Sequence, residues 1–160
     1  MIPAANGSHD LAGAAGGPFR RVLVAWDGSP DSVAALRTAA AMVGDGPGHV
    51  VALAVLPEAP HVEAERGQAG EESAGLRWVQ DGFERARASI TATSRARIDL
   101  HTAEGRQVAR SLCAYATEHG FDLLVLGRHG GGGMLHPRLG RVAETAARAS
   151  AVPVLLVSVR

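Results

Sequence analysis

Apolar positions fall into short continuous runs separated by longer stretches in which they recur every three or four residues. The first run, residues 21–26, is rich in β-branched side chains and stops at Asp27-Gly28-Ser29-Pro30. Ser29 suits a helix N-cap and Pro30 a first helical residue. Val33, Leu36, Ala40 and Val43 then follow helical spacing, and the Gly- and Pro-rich segment 44–48 ends that helix. The second run, 49–56, is hydrophobic almost throughout, as expected of a strand buried on both faces of a parallel sheet. Residues 57–70 are polar and broken by Pro and Gly, which reads as a loop. Leu76, Val79, Phe83, Ala86 and Ile90 then form the stripe of an amphipathic helix, weakened by Gly75 and Gly82.

Residues 96–102 alternate enough to predict a third, more exposed strand. Val108, Leu112, Tyr115 and Ala116 define a third helix closed by Gly120, and 122–127 a fourth strand. A glycine-rich loop follows, then a helix from Gly140 to about Ser150 with Val142, Ala146 and Ala149 on one face. Residues 152–159 make a fifth strand, with Pro153 near its start or at an edge. The order β-α-β-α-β-α-β-α-β has no internal repeat, and each crossover is long enough for a right-handed parallel connection. The pattern predicts an α/β fold: one doubly wound, five-stranded parallel sheet with helices on both faces. Such sheets bind ligands at the carboxyl ends of the strands where strand order reverses. That points to Asp27-Gly28-Ser29 after the first strand and to the glycine loop after the fourth.

Composition narrows the ligand. The 16 basic residues are all Arg and are balanced by 16 acids, so the net charge is +0. A general nucleic-acid binder needs a basic excess, and a P-loop needs a Lys that this chain lacks. The longest purely apolar run, 50–56, is far short of the roughly 20 residues of a membrane span. One Cys excludes an intrachain disulfide and fits a reducing compartment, so the expected location is the cytoplasm. Residues 1–18 have neither a basic start nor a sustained apolar core of a secretory signal, and they read as a flexible tail before a domain at 19–160.

Against this neutral background, residues 127–142 stand out: six Gly, three Arg and two His, with no acid. Glycine lets backbone N–H groups approach an anion, and the helix start near Gly140 favours one. Arg128, Arg138 and Arg141 carry forked donors suited to phosphate. A polyphosphate matches this best. The alternative is a flexible connector whose Arg are merely solvated.

Gly127, Gly130 and Gly140 also fit the spacing Gly-x2-Gly-x9-Gly-(Ser/Thr). With Asp27-Gly28-Ser29 after strand one, a second strand ending near Val55 and a final Pro-Val-Leu-Leu-Val, the chain from about Arg20 to Val159 resembles a universal stress protein of the ATP-binding type. The resemblance implies the Rossmann-like, adenine nucleotide alpha hydrolase-like form of the fold, with strand order 3-2-1-4-5. It implies that Ala25 and Val55 line an adenine slot, Val55 through its backbone, and that Leu126 and Gly127 border the ribose. Gly130, Gly140, Arg141 and Val142 would hold the phosphates, beside Arg128. Asp27 would contact the nucleotide or a Mg²⁺ shared with the phosphates. It also implies a homodimer through the last strand, whose apolar edge includes Val154, Leu156 and Val159.

Arg141 departs from the pattern, which has Ser or Thr there. A cation at a helix N-terminus is unfavourable without an anion. Arg141 therefore either clamps phosphates from outside or fills their site and blocks it. The first outcome gives a nucleotide-responsive regulator in stress response. The second gives a nucleotide-free dimeric interaction module of the same fold. A third possibility, an adenylyl- or phosphoryl-transferring enzyme, needs a second constellation of acidic and basic residues that the sequence does not display. No nucleophile elbow surrounds Ser29 or Ser32, so any ATP hydrolysis is expected to be slow.

Other residues carry ordinary expectations. Asp27-Gly28-Ser29 also has ordinary turn and cap chemistry. Cys113 reads as a small buried hydrophobe. His129 and His136 lack the partners of a zinc site. Trp26 is expected to pack near the site, and Trp78 lies off its helix stripe. Arg77, Arg85, Arg87 and Arg95 read as a solvated helix face.

Overall fold

A computed structural model describes residues 18–57, 69–130 and 139–159, the side chains of 69–74 excepted. The elements follow in the expected order: β1 Arg21–Ala25, α1 Pro30–Val43, β2 His49–Leu56, α2 Ala69–Thr91, β3 Arg97–Glu104, α3 Val108–Glu118, β4 Leu123–Gly127, α4 Arg141–Ala149 and β5 Val154–Val157. The strands form one sheet ordered β3-β2-β1-β4-β5. All four pairings are parallel.

The continuous apolar runs follow from this layering. Successive side chains of a strand point to opposite faces, and both faces of the central strands are covered. Val22, Val24, Val50, Ala52, Leu123 and Val125 pack on one side with Leu36 of α1 and Phe83 and Ile90 of α2. Leu23, Val51, Leu53, Leu124 and Leu126 pack on the other with Leu112 and Ala116 of α3 and Ala146 of α4. Cys113 is buried in this second layer, and burial raises its thiol pKa, partly offset by a hydrogen bond with Ser150. The edge strand β3 is more exposed, as its sequence predicts.

Helix α1 begins as expected. The Oγ of Ser29 accepts the N–H of Ser32 at 3.2 Å, with Pro30 as the first helical residue. Trp26 closes β1 inward: its Nε1 donates to Val79 O at 3.2 Å, and its ring meets Phe83 edge-on at 5.9 Å. Trp78, one residue before Val79, is 58% exposed. Its ring lies over the turn at Gly28, where φ is +74° and a Cβ would come 2.7 Å from the ring edge. Only glycine meets both demands there.

Several boundaries move. Helix α2 begins at Ala69, inside the segment read as loop, and residues 58–68 of that segment lie outside the described residues. Strand β3 runs two residues past Thr102, and β5 is limited to four residues. The buried face of α4 is Ala143 and Ala146, not Val142, Ala146 and Ala149. Val142 and Ala149 are exposed because α4 presses on the sheet with its small residues. Arg95 lies beyond the end of α2, while Arg77, Arg85 and Arg87 form its exposed face. The expected tail, residues 1–17, lies outside the described residues. Among the described residues, no helix is long and apolar enough to cross a membrane.

Phe83, 2% exposed, joins α2 to the end of β1 through Trp26. Phe83→Ala is expected to lower the unfolding free energy by about 3–5 kcal/mol. Urea titration followed by tryptophan fluorescence checks this.

Candidate functional site

Strand order reverses between β1 and β4. A cleft of about 370 Å³ opens there at the carboxyl ends of the strands. All ten residues singled out from the sequence line it: Ala25, Asp27, Val55, Leu126, Gly127, Arg128, Gly130, Gly140, Arg141 and Val142. A wider hollow of about 590 Å³ around Arg37, Asp45 and Ser89 lies between the carboxyl-terminal parts of α1 and α2, away from the glycine loop.

One wall of the cleft is a strand edge left open by the length of β1. Trp26 N–H donates to Leu53 O at 3.0 Å, the last bond from the end of β1 to β2. On the other side of β2, Gly105 N–H donates to Leu56 O at 2.9 Å. Backbone groups of successive strand residues point alternately to the two neighbours. The N–H and C=O of Val55 therefore face the β1 side, beyond where β1 has ended. Apolar side chains flank this edge: Ala25, Leu53, Val108, Leu112, Leu126 and Val142.

The opposite end of the cleft is polar. The Oδ1 of Asp27 accepts Ser29 N–H at 3.0 Å, as in an ordinary Asx turn. Its Oδ2 lies across from Gly130, at 3.0 Å from where a Cβ would stand. Gly140 N–H donates to Arg128 O at 3.0 Å, which joins the two ends of the glycine segment. That amide is thus occupied within the loop. The first intrahelical bond of α4 runs from Glu144 N–H to Gly140 O. The N–H groups of Arg141, Val142 and Ala143 precede it and have no helical partner. Arg141 is exposed, at the first position of α4. His136 and Arg138 lie outside the described residues.

The feature that sequence reasoning missed is Asp31, a buried carboxylate in the first turn of α1. Its Oδ2 accepts the N–H of His129 at 3.0 Å and, at 3.3 Å, the Nδ1 of the same residue. Its Oδ1 accepts Val159 N–H at 2.9 Å. The same carboxylate thus fixes the start of the glycine loop and the chain beyond β5. Gly127 makes this possible, since a Cβ there would stand 2.7 Å from that of Asp31. Burial by itself would raise the Asp31 pKa. The Val159 and His129 amide bonds, with the ring and charge of His129, outweigh burial and hold it below the usual range. An acid four residues after Asp27 reads in the sequence only as helix-start chemistry, so no signal identifies this role.

Among the described residues, no group of three or more His, Cys, Asp or Glu could hold a metal ion. Asp27 is an exposed single carboxylate of the kind that shares Mg²⁺ with phosphate oxygens.

The model of the universal stress protein family matches residues 18–158. A search of the curated proteins finds no match. Among solved structures, the hypothetical protein MJ0577 is 20% identical, with a TM-score of 0.74 over 89% of this chain and 97% of the other. Universal stress protein UspA from Lactobacillus plantarum is 22% identical, with a TM-score of 0.69 over 87% and 97%. A universal stress protein solved in complex with cAMP is 25% identical, with a TM-score of 0.57 over 87% and 96%.

The depressed pKa of Asp31 sets the sign of a pH effect. Its contribution is present above the unfolded carboxyl pKa, about 4, and is lost as pH falls through the lower folded value. Urea midpoints of wild type and Asp31→Ala are therefore expected to differ clearly at pH 7, with the gap starting to narrow only as pH falls below about 4.

Proposed function

Because the chain belongs to the universal stress protein family, we propose that it binds an adenine nucleotide, ATP, in the cleft between the ends of β1 and β4. The observation that carries this reading is the pairing of an open strand edge at Val55 with a helix start at Arg141 in one cleft. An adenine base has a hydrogen-bond edge and two apolar faces. The backbone of Val55 suits the edge, and Ala25, Leu126 and the neighbouring aliphatic side chains suit the faces. A phosphate chain needs hydrogen-bond donors. The amides of Arg141, Val142 and Ala143, with Arg128 and Gly130, supply them.

Gly140 contributes close approach, since its own N–H serves Arg128 O. Leu126 and Gly127 border the ribose. Asp27 stands across from Gly130, where its carboxylate would hold a Mg²⁺ that offsets phosphate charge. The exposure of Arg141 supports the clamp over the block, because an Arg filling the site would be covered by it. The relative solved with cAMP supports an adenine nucleotide as the ligand class.

The same reading makes the protein a cytoplasmic, nucleotide-responsive regulator in stress response that works as a homodimer through β5. The universal stress protein domain is taken as residues 19–160. Strand β5 is an edge strand carrying Val154 and Leu156, and Val159 beyond it is 55% exposed. An apolar edge is a natural pairing surface.

Calorimetric titration of ATP into wild type and Arg141→Ser tests the site. Binding by wild type is expected, and binding by the Ser variant alone would contradict the clamp. Light scattering is expected to give the mass of two chains; the mass of one would remove the dimer.

A further inference from the structure

Two residues of the cleft wall are held from outside it. Arg128 and His129 follow β4 directly and line the cleft. The N–H of Arg128 donates to Val157 O, at the end of β5, at 2.6 Å. The N–H of His129 donates to Asp31 Oδ2 at 3.0 Å, and the other oxygen of that carboxylate accepts Val159 N–H at 2.9 Å. Asp31, Val157 and Val159 are not among the residues that line the cleft. The C=O of Arg128 accepts Gly140 N–H at 3.0 Å. A path of hydrogen bonds therefore runs from Val159, through Asp31 and the backbone of 128–129, to the residue that precedes α4.

Burial makes this path sensitive at Asp31. Among the described residues, the Val159 amide supplies the hydrogen bond that Oδ1 accepts. An ionised oxygen that loses its donor in a buried position is costly. Asp31 therefore shifts to regain a donor when the Val159 amide leaves, and its second oxygen carries that shift to His129. The converse also holds. A ligand held at Gly130 and the first turn of α4 fixes the 128–129 backbone, which keeps Asp31 where the Val159 amide meets it. Val159 lies beyond the last residue of β5 and is 55% exposed, so its bond is the one that local opening breaks first.

Coupling of this kind is reciprocal. We propose that Asp31 is a positioning residue for the nucleotide and couples the cleft to Val159: a bound nucleotide strengthens the Val159–Asp31 bond, and loss of that bond weakens nucleotide binding. This rests on the nucleotide reading of the cleft. It adds a route by which occupancy of the cleft is registered at the edge of the sheet, beside β5.

Val159→Pro removes the N–H while leaving Asp31, His129 and every cleft residue in place. Val159→Ala keeps the N–H and serves as the control. Position 159 is exposed and lies beyond β5, so both variants are expected to fold, as urea midpoints near that of wild type would verify. In calorimetry, Val159→Pro is expected to bind ATP about fivefold more weakly than wild type, and Val159→Ala to match wild type. In wild type, ATP is expected to slow hydrogen exchange at the Val159 amide, followed by NMR, and to leave unchanged the exchange of Thr93 N–H, which bonds Ile90 O in the turn after α2. Equal ATP affinity in Val159→Pro and wild type, an equal loss in Val159→Ala, or no slowing at Val159 would overturn the coupling while leaving the nucleotide cleft standing. Absence of ATP binding to wild type would overturn the cleft and the coupling together.

Discussion

The site is organised around a close approach of main chain and helix at the carboxyl end of the sheet. Gly127 ends β4 without a side chain, and the first turn of α1 occupies the space that a Cβ would take. The carboxylate of Asp31 is thereby brought within hydrogen-bond reach of two segments distant in sequence. It accepts the amide and ring nitrogen of His129 on one oxygen and the amide of Val159 on the other. A buried carboxylate needs such donors, because an ionised oxygen without them is very costly to bury. The same bonds fix where the glycine loop leaves the sheet and where the chain runs after β5.

The geometry of the cleft follows from that fixed point. The loop departs from β4 at a set place, and its neck is closed where Gly140 N–H meets Arg128 O at 3.0 Å. Helix α4 consequently starts beside the open edge of β2, with the amides of its first turn facing the cleft. Sheet topology alone provides a crevice at the switch between β1 and β4. The shortness of β1 gives that crevice a hydrogen-bonding edge at Val55, and the start of α4 gives it N–H groups without helical partners. An adenine nucleotide combines those two requirements in one molecule, which is why the proposal settles on that ligand class.

Much of this was legible in the amino-acid sequence, for reasons that differ by residue. The strands were visible because a parallel sheet covered on both faces demands unbroken apolar runs, as 49–56 displays. The start of α1 was visible because Ser29 and Pro30 carry local chemistry that needs no tertiary partner. Of the cleft residues, the glycines, arginines and Asp27 stand out through spacing and strand ends, whereas Ala25, Val55, Leu126 and Val142 are named only by the family resemblance. The face of α4 differs because Val142 outranks Ala143 in hydrophobicity, whereas the residues that α4 buries are Ala143 and Ala146 and Val142 lines the cleft. Asp31 was illegible since its partners lie 98 and 128 residues away.

The central claim is that the cleft between β1 and β4 is built for an adenine nucleotide. Crystals grown with ATP test it most directly. The account predicts a base against Ala25 and Val55, with its edge on the Val55 backbone and its phosphates at Gly130 and the first turn of α4. A cleft filled by the guanidinium of Arg141, with no nucleotide present, would contradict it.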